Sequence, residues 1–215
     1  RQRANATALR QMHPDVTNPA STPEMLRNTL FLNRDDNTFA EIAQFSGLEA
    51  TEWSWGVAFI DVDLDGWEDC LITNGNYHDV IDADAMNRLK QVKEDDSIES
   101  GLKNLNLFPR LETANLAFRN LGNLRFKDAS SEWGFDTEAV SHGIAHGDLD
   151  NDGDLDIVVN HLNKPAGIYR NETSAPRIAV RLKGGSENKF GIGAKIELIG
   201  SSLPQSQTML GGGRY

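Results

Sequence analysis

The 215 residues include one cysteine, Cys70, so the chain can form no internal disulfide and its cysteine usage does not report a redox compartment. Long apolar runs are also missing. Nowhere does the sequence approach the ~20 consecutive apolar residues that a membrane helix requires. Basic residues are in the minority, 21 Lys and Arg against 32 Asp and Glu, for a formal net charge of -11. That balance argues against a nucleic-acid footprint, which needs a basic face. No Gly-x-Ser-x-Gly nucleophile elbow occurs. Gly191-Ile192-Gly193 lacks the strand-to-helix setting of a dinucleotide loop. What is present is ordinary for a globular protein: 39% hydrophobic residues, enough for one large β domain or two small ones. The acidic excess fits a protein that holds cations, because ligand carboxylates count as bare charge until the metal is added. The chain opens at Arg1 with neither initiator Met nor signal peptide and stops at Gly211-Gly212-Gly213-Arg214-Tyr215. This is expected of a piece of a longer protein, in which a leader would be invisible.

An internal repeat organises the rest. Asn28, Phe31 and Asn33 meet Asn115, Phe118 and Asn120, 87 positions on. In the same gapless register Phe39 meets Phe126, Glu41 meets Asp128, and Gly47 meets Gly134. Gly56 and Ala58 meet Gly143 and Ala145. A third, partial copy begins at Ile168-Tyr169-Arg170-Asn171, only 51 positions after Phe118-Arg119-Asn120 when Tyr169 is set on Phe118. The uninterrupted unit is thus about 51 residues, and the first copy carries the other 36 as an insertion between Asn76 and Thr113. Within the insertion, Met86, Leu89 and Val92 recur at helical spacing, as do Ile98, Leu102 and Leu105. Two short helices packed on the outside of a β scaffold are expected there.

The repeat itself reads as β. Leu30–Leu32 and Phe39–Ile42 flank a turn-rich Asn33-Arg34-Asp35-Asp36-Asn37, which predicts a hairpin. Val57–Ile60 and Cys70–Thr73 are apolar stretches on either side of an aspartate-rich loop, and Ile157-Val158-Val159 repeats the second of them. Further on, Ile178, Val180 and Leu182 alternate with Ala179 and Arg181, and Ala194–Leu198 alternates likewise, predicting two half-buried strands. Short strands returning in units of about 50 residues define the expected fold: all-β, made of β-propeller-type blades with a short helical insertion. The boundaries are a leading segment at 1–27, repeats at 28–76 and 115–165, the insertion at 77–114, and a partial third repeat from 166 to 215.

The loops carry the chemistry. The first runs Asp61-Val62-Asp63-Leu64-Asp65-Gly66-Trp67-Glu68-Asp69, and the second Asp148-Leu149-Asp150-Asn151-Asp152-Gly153-Asp154-Leu155-Asp156. Calcium takes six to eight oxygens, and carboxylates at positions 1, 3 and 5 converge if the chain curls about one point. Glycine at position 6 permits the sharp turn. Position 7, Trp67 or Asp154, would offer its backbone carbonyl, and position 9, Asp69 or Asp156, a further carboxylate. An EF-hand opens the same way but needs a bidentate Glu at position 12, where Ile72 and Val159 stand, and flanking helices in place of strands. Magnesium is a poorer fit, since it prefers near-octahedral sites with retained waters. Unpaired, five acidic groups in nine positions would repel one another strongly. Ca2+ is therefore the expected cofactor, in a structural role.

Other chemistry is less well supported. His142 and His146 stand four apart, but in a glycine-rich segment that aligns with a strand, where zinc spacing on a helix does not apply. Cys70 lies in an apolar stretch suited to inert packing. Of the tryptophans, Trp55 and Trp133 fall beside repeat landmarks and are expected in the core, and Trp67 is expected to be exposed.

The Asn-x-x-Phe-x-Asn strand, the Trp55-Gly56 pair and the Asp-x-Asp-x-Asp-Gly-x-x-Asp loop resemble the FG-GAP/VCBS repeats of integrin-α-like propellers. The stretch Arg177–Gly184 with Asn188–Ile196 resembles the start of an ASPIC/UnbV domain, found with such repeats in relatives of cartilage acidic protein. The resemblance implies a β-propeller with calcium in its inter-strand loops, outside the cytoplasm, with adhesion or recognition roles. Its ligands carry over to Asp61, Asp63, Asp65 and Asp69, and to Asp148, Asp150, Asp152 and Asp156. Two full loops are too few for a closed propeller.

The expected function is a calcium-dependent recognition or adhesion module, secreted, periplasmic or at the cell surface, with a protein or glycan partner. The competing expectation is a polysaccharide hydrolase or lyase on the same scaffold, using a group such as Glu68 or His146 beside a cleft.

Overall fold

The computed structural model describes residues 27–92, 97–200 and 204–211. The expected leading segment therefore lies, but for Arg27, outside the described residues. The fold is mostly β, in several small antiparallel sheets, and the described residues close no propeller.

Strands β1 (Phe31–Asn33) and β2 (Phe39–Glu41) form the expected hairpin, with Phe31 opposite Glu41. A single helical turn, α1 (Ala43–Ser46), follows and ends at Gly47, whose φ of +82° suits a left-handed cap. The Glu41 carboxylate accepts from Ala43 N, and in the next copy Asp128 accepts from Ser130 N, both at 2.8 Å. The acidic residue shared by the two copies thus accepts from the backbone N–H two residues on, at the start of the turn after the hairpin.

Strands β3 (Ser54–Ile60) and β4 (Asp69–Asn74) flank the first aspartate loop. The next strand to join them comes from beyond the insertion. The short β5 (Thr113–Ala114) leads into β6 (Leu116–Asn120), which lies against β4, with β7 (Phe126–Asp128) outside it. The sheet order is β3-β4-β6-β7, so half of this sheet belongs to the first sequence repeat and half to the second. A second sheet repeats the plan. After β8 (Glu138–Ala139), which pairs with β5, come β9 (Ser141–Gly147), β10 (Asp156–His161) and β11 (Gly167–Tyr169), in the order β9-β10-β11. Here too the third strand comes from the following copy of the repeat.

Alternation along β4 explains the layering. All six of its residues are buried, because successive side chains leave on opposite faces and both faces are covered. Leu71 packs with Ile60, Ala117, Phe135, Ile157 and Val159, joining the two sheets face to face. Cys70 and Ile72 point the other way, onto Leu48 and Phe118, with Leu30 from the start of the hairpin packed alongside. Three layers result: hairpin, four-stranded sheet, three-stranded sheet. The inner strands β3 and β9 approach closely at Gly56, where an added Cβ would sit 2.6 Å from the His142 carbonyl oxygen.

The insertion leaves and re-enters at one point. Asn76 and Leu111 exchange reciprocal backbone hydrogen bonds of 2.9 Å, within the boundary set by the repeats. Its helices are α2 (Ala83–Leu89), capped by Asp82, and α3 (Ile98–Leu105), capped by Ser97. Helix α2 buries Ala85, whereas α3 buries nothing, and Ile98 is 84% exposed. The expectation that both helices pack on the scaffold fails for α3.

The alternating stretch Ile178–Leu182 forms no strand. Ile178 and Val180 are exposed, and among the described residues no strand pairs with this stretch to offer the ladder a strand needs for its backbone groups. Residues Ala194–Leu198 do pair, as β12 (Lys195–Leu198) with β13 (Gln205–Thr208), but the hairpin is largely exposed where a half-buried strand was expected.

Candidate metal centres

Each aspartate loop is the connection of a β-hairpin, β3 to β4 and β9 to β10, and the two are built alike. Asp61 Oδ1 and Oδ2 accept from Asp65 N (3.0 Å) and Gly66 N (2.8 Å). Asp148 does the same with Asp152 N and Gly153 N, both at 3.1 Å. These bonds curl the chain over the first aspartate. Two left-handed residues permit the curl: Leu64 (φ +56°) and Gly66 (φ +95°) in one loop, Asn151 (φ +63°) and Gly153 (φ +95°) in the other.

The curl brings carboxylates together. Ligand atoms of Asp61, Asp63 and Asp65 lie within 4.8 Å of one another, as do those of Asp148, Asp150 and Asp156. That upper limit is about twice a calcium–oxygen distance of ~2.4 Å, so the three groups are gathered closely enough that they could hold one ion. The donor set is all oxygen, as a hard cation requires, and Asp63 Oδ1 is buried without a hydrogen-bond partner. These residues therefore fit a calcium ion. Asp65 joins the group in the first loop but its counterpart Asp152 does not join the second. Asp152 accepts from Asp154 N at 3.2 Å, as Asp65 does from Trp67 N at 2.8 Å, and that N–H is the first cause holding the Asp152 carboxyl below the usual range.

Position 9 has a second job. Asp69 Oδ2 accepts from Val62 N (2.9 Å) and Oδ1 from Asn120 N (2.8 Å), so it pins the loop to the strand of the next repeat. Asp156 accepts from Leu149 N and Asn171 N, both at 2.9 Å, in the same way. Burial raises the Asp69 carboxyl to about 7 despite those two donors, and burial is also the first cause raising Asp61, with Asp65 and Asp63 adding to it. A cation between these groups would favour their ionised forms.

Position 7 divides the two loops. The Trp67 ring lies against Gly122, where an added Cβ would be 2.8 Å from Nε1, and the residue is 39% exposed. Asp154 instead buries its side chain, which pairs with Arg177 at 2.7 Å. Burial raises its carboxyl.

Spacing did not reveal two residues that complete each loop. Arg119 Nε donates to Asp63 Oδ2 (2.9 Å), while its Nη2 reaches Glu132 and its guanidinium lies over Trp133. Arg170 Nε meets Asp150 Oδ2 at 2.7 Å. Both arginines, with the asparagine that follows each, recur 51 positions apart in Phe-Arg-Asn and Tyr-Arg-Asn. The repeat displayed them, but only the strand order shows which loop they serve.

The remaining candidates fall elsewhere. His142 lies on β9 and packs against Trp55, ring centres 4.6 Å apart. Trp55 was expected in the core, yet it is 50% exposed, with its indole N–H donating to Gly75 O. Trp133 does pack against the core. Cys70 is buried and its thiol is pushed up to about 12, chiefly by burial. A surface cleft of about 550 Å³ is lined by Asp128, Glu132, Asp136 and Glu138 among others, and by neither Glu68 nor His146.

An FG-GAP-like repeat is found at residues 17–72, about a quarter of the chain, and this stretch contains the first loop in full. No curated protein matches the chain. The second loop lies outside the matched stretch and is tied to it by the internal repeat and by the shared hydrogen bonds above. No described helix is long and apolar enough to cross a membrane.

Proposed function

We propose that the chain is part of a calcium-stabilised, propeller-type extracellular recognition or adhesion module that binds a protein or carbohydrate. The observation that carries this is the paired convergence of three aspartate oxygens in loops of the same construction. The FG-GAP-like repeat supports the propeller-type module and its placement outside the cytoplasm. Asp61, Asp63 and Asp65 would hold one ion, with Asp148, Asp150 and Asp156 holding the other. Asp69 and Asp152, and the backbone carbonyls of Trp67 and Asp154, are further donors within each loop. The ion would supply positive charge where carboxylates crowd, tying each hairpin at its tip. An ion bound only by the folded loop adds its binding free energy to folding. Each four-stranded or three-stranded sheet is read as a blade whose outer part comes from the following repeat. Arg177–Gly184 and Asn188–Ile196 are read as the start of an ASPIC/UnbV-like segment, on their sequence alone.

Thermal unfolding in excess chelator, then across a calcium titration, tests the proposal with Asp63→Ala and Asp150→Ala alongside. The expected result is a melting temperature that climbs with calcium, each variant losing part of the rise. A response that is flat in the wild type, or equal for magnesium and calcium, would overturn it.

A further inference from the structure

We propose that Asn171 positions both aspartate loops at once, so that they bind calcium as a coupled pair; this rests on the calcium reading above. Its backbone N–H donates to Asp156 Oδ1 at 2.9 Å, and Asp156 is one of the three converging carboxylates of the second loop. Its side-chain Nδ2 donates to the Val62 carbonyl oxygen at 2.8 Å. Val62 separates Asp61 from Asp63, so that peptide unit orients two converging carboxylates of the first loop. The Val62 N–H is held as well, by Asp69 Oδ2, which leaves the residue fixed on both sides. Thr173 adds a second strut. Its N–H donates to Asn171 Oδ1 (3.1 Å), and its hydroxyl reaches the Asp63 carbonyl oxygen (3.4 Å).

The bridge is particular to this copy of the repeat. Asn120, the equivalent asparagine, holds Asp69 through its backbone but donates its side chain to Glu68 O, within the same loop. Asn171 alone of the two spans loops of different sheets. An ion that draws Asp148, Asp150 and Asp156 together fixes Asp156, hence Asn171, hence the Val62 peptide. The first loop then has less freedom to give up when its own ion binds, which is positive coupling, and linkage makes it reciprocal.

Calcium binding to the full chain is measured by titration calorimetry, with the second loop disabled by Asp148→Asn and Asp150→Asn. With Asn171 intact, the first loop is expected to lose affinity by about fivefold or more, the lower end of ordinary allosteric coupling. In Asn171→Ala the same loop-disabling change is expected to cost less than about twofold. Asn171→Asp serves as a second uncoupling variant, since it keeps the Oδ1 that orders Thr173 and removes the donor to Val62. First-loop affinity unchanged on disabling the second loop, with calcium still bound, would sink the coupling and leave the calcium reading standing. An equal loss with and without Asn171 would also overturn it. No calcium bound by the wild type would remove the calcium reading itself, and the coupling with it.

Discussion

Leu64 and Asn151 occupy the same position in the two loops and the same left-handed backbone region, at φ +56° and +63°. Asparagine tolerates that conformation, whereas a leucine Cβ crowds the following carbonyl there, at a cost of roughly 1–2 kcal/mol. Leu64→Asn is therefore expected to stabilise the chain by about 1 kcal/mol, read as a shift of the urea midpoint with unchanged slope. A destabilised variant would mean that the half-buried leucine side chain contributes more than its backbone costs. His161 is a second position where the repeat supplies its own control, because the equivalent residue is Asn74. Its Nδ1 lies 2.9 Å from Ser141 Oγ, and burial, then nearby Lys164, lowers its pKa from the ordinary ~6.5. The unfolded chain then takes up the proton first as pH falls. The stability this histidine contributes is complete above about 6.5 and declines below it, until the folded form also protonates. His161→Asn should accordingly lose less stability than the wild type between about pH 7 and pH 5. Equal losses would show that the imidazole is not the group that titrates.

Gly56 and Gly143 are equivalent in sequence but not in surroundings, and the difference sits where β3 meets β9. A Cβ on Gly56 would lie 2.6 Å from His142 O and 2.9 Å from Thr73 Oγ1, whereas one on Gly143 would meet only the Asn160 side chain, at 3.3 Å. Gly56→Ala must push the inner strands apart and is expected to cost roughly 1–3 kcal/mol, with Gly143→Ala costing less in the same chemical unfolding series. Helix α3 gives the opposite case. Its Ile98 and Leu102 stripe has the periodicity of a packed face, yet Ile98 is 84% and Leu102 61% exposed, so replacing both with serine should change stability by no more than about 0.5 kcal/mol. Helical period was legible there, but what the stripe packs on was not. The strands beside the two loops were also legible, since apolar alternation and turn residues are local. Residues Ile178–Leu182 alternate just as clearly and form no strand, because a ladder needs a partner that alternation does not supply. Sheet composition was hidden for the same reason. The repeats mark units beginning at Asn28 and Asn115, while hydrogen bonding joins β4 of one unit to β6 of the next. The aspartates were visible from spacing; Arg119, Asn120, Arg170 and Asn171 became partners only once that pairing was known.

Across the molecule, the layered sheets are held together by apolar contacts while the two hairpin tips concentrate negative charge, and the chain as a whole carries a net charge of -11. Without an ion, one arginine among the described residues pairs with each triplet: Arg119 with Asp63 and Arg170 with Asp150. One guanidinium offsets one carboxylate and leaves the others in repulsion. Raising ionic strength from about 0.01 M to about 1 M shortens the screening length from about 30 Å to about 3 Å. In chelator, potassium chloride over that range should therefore raise the melting temperature, because screened repulsion exceeds the weakened surface ion pairs in a chain so acidic. With saturating calcium the clustered charge is already neutralised at short range, and the gain from salt should shrink. The measurement is a set of four melts, low and high salt with chelator and with calcium. A salt gain of the same size in both would place the repulsion in the general surface charge and away from the loops. A gain confined to the chelated chain would locate it at the hairpin tips, where the two triplets gather their carboxylates.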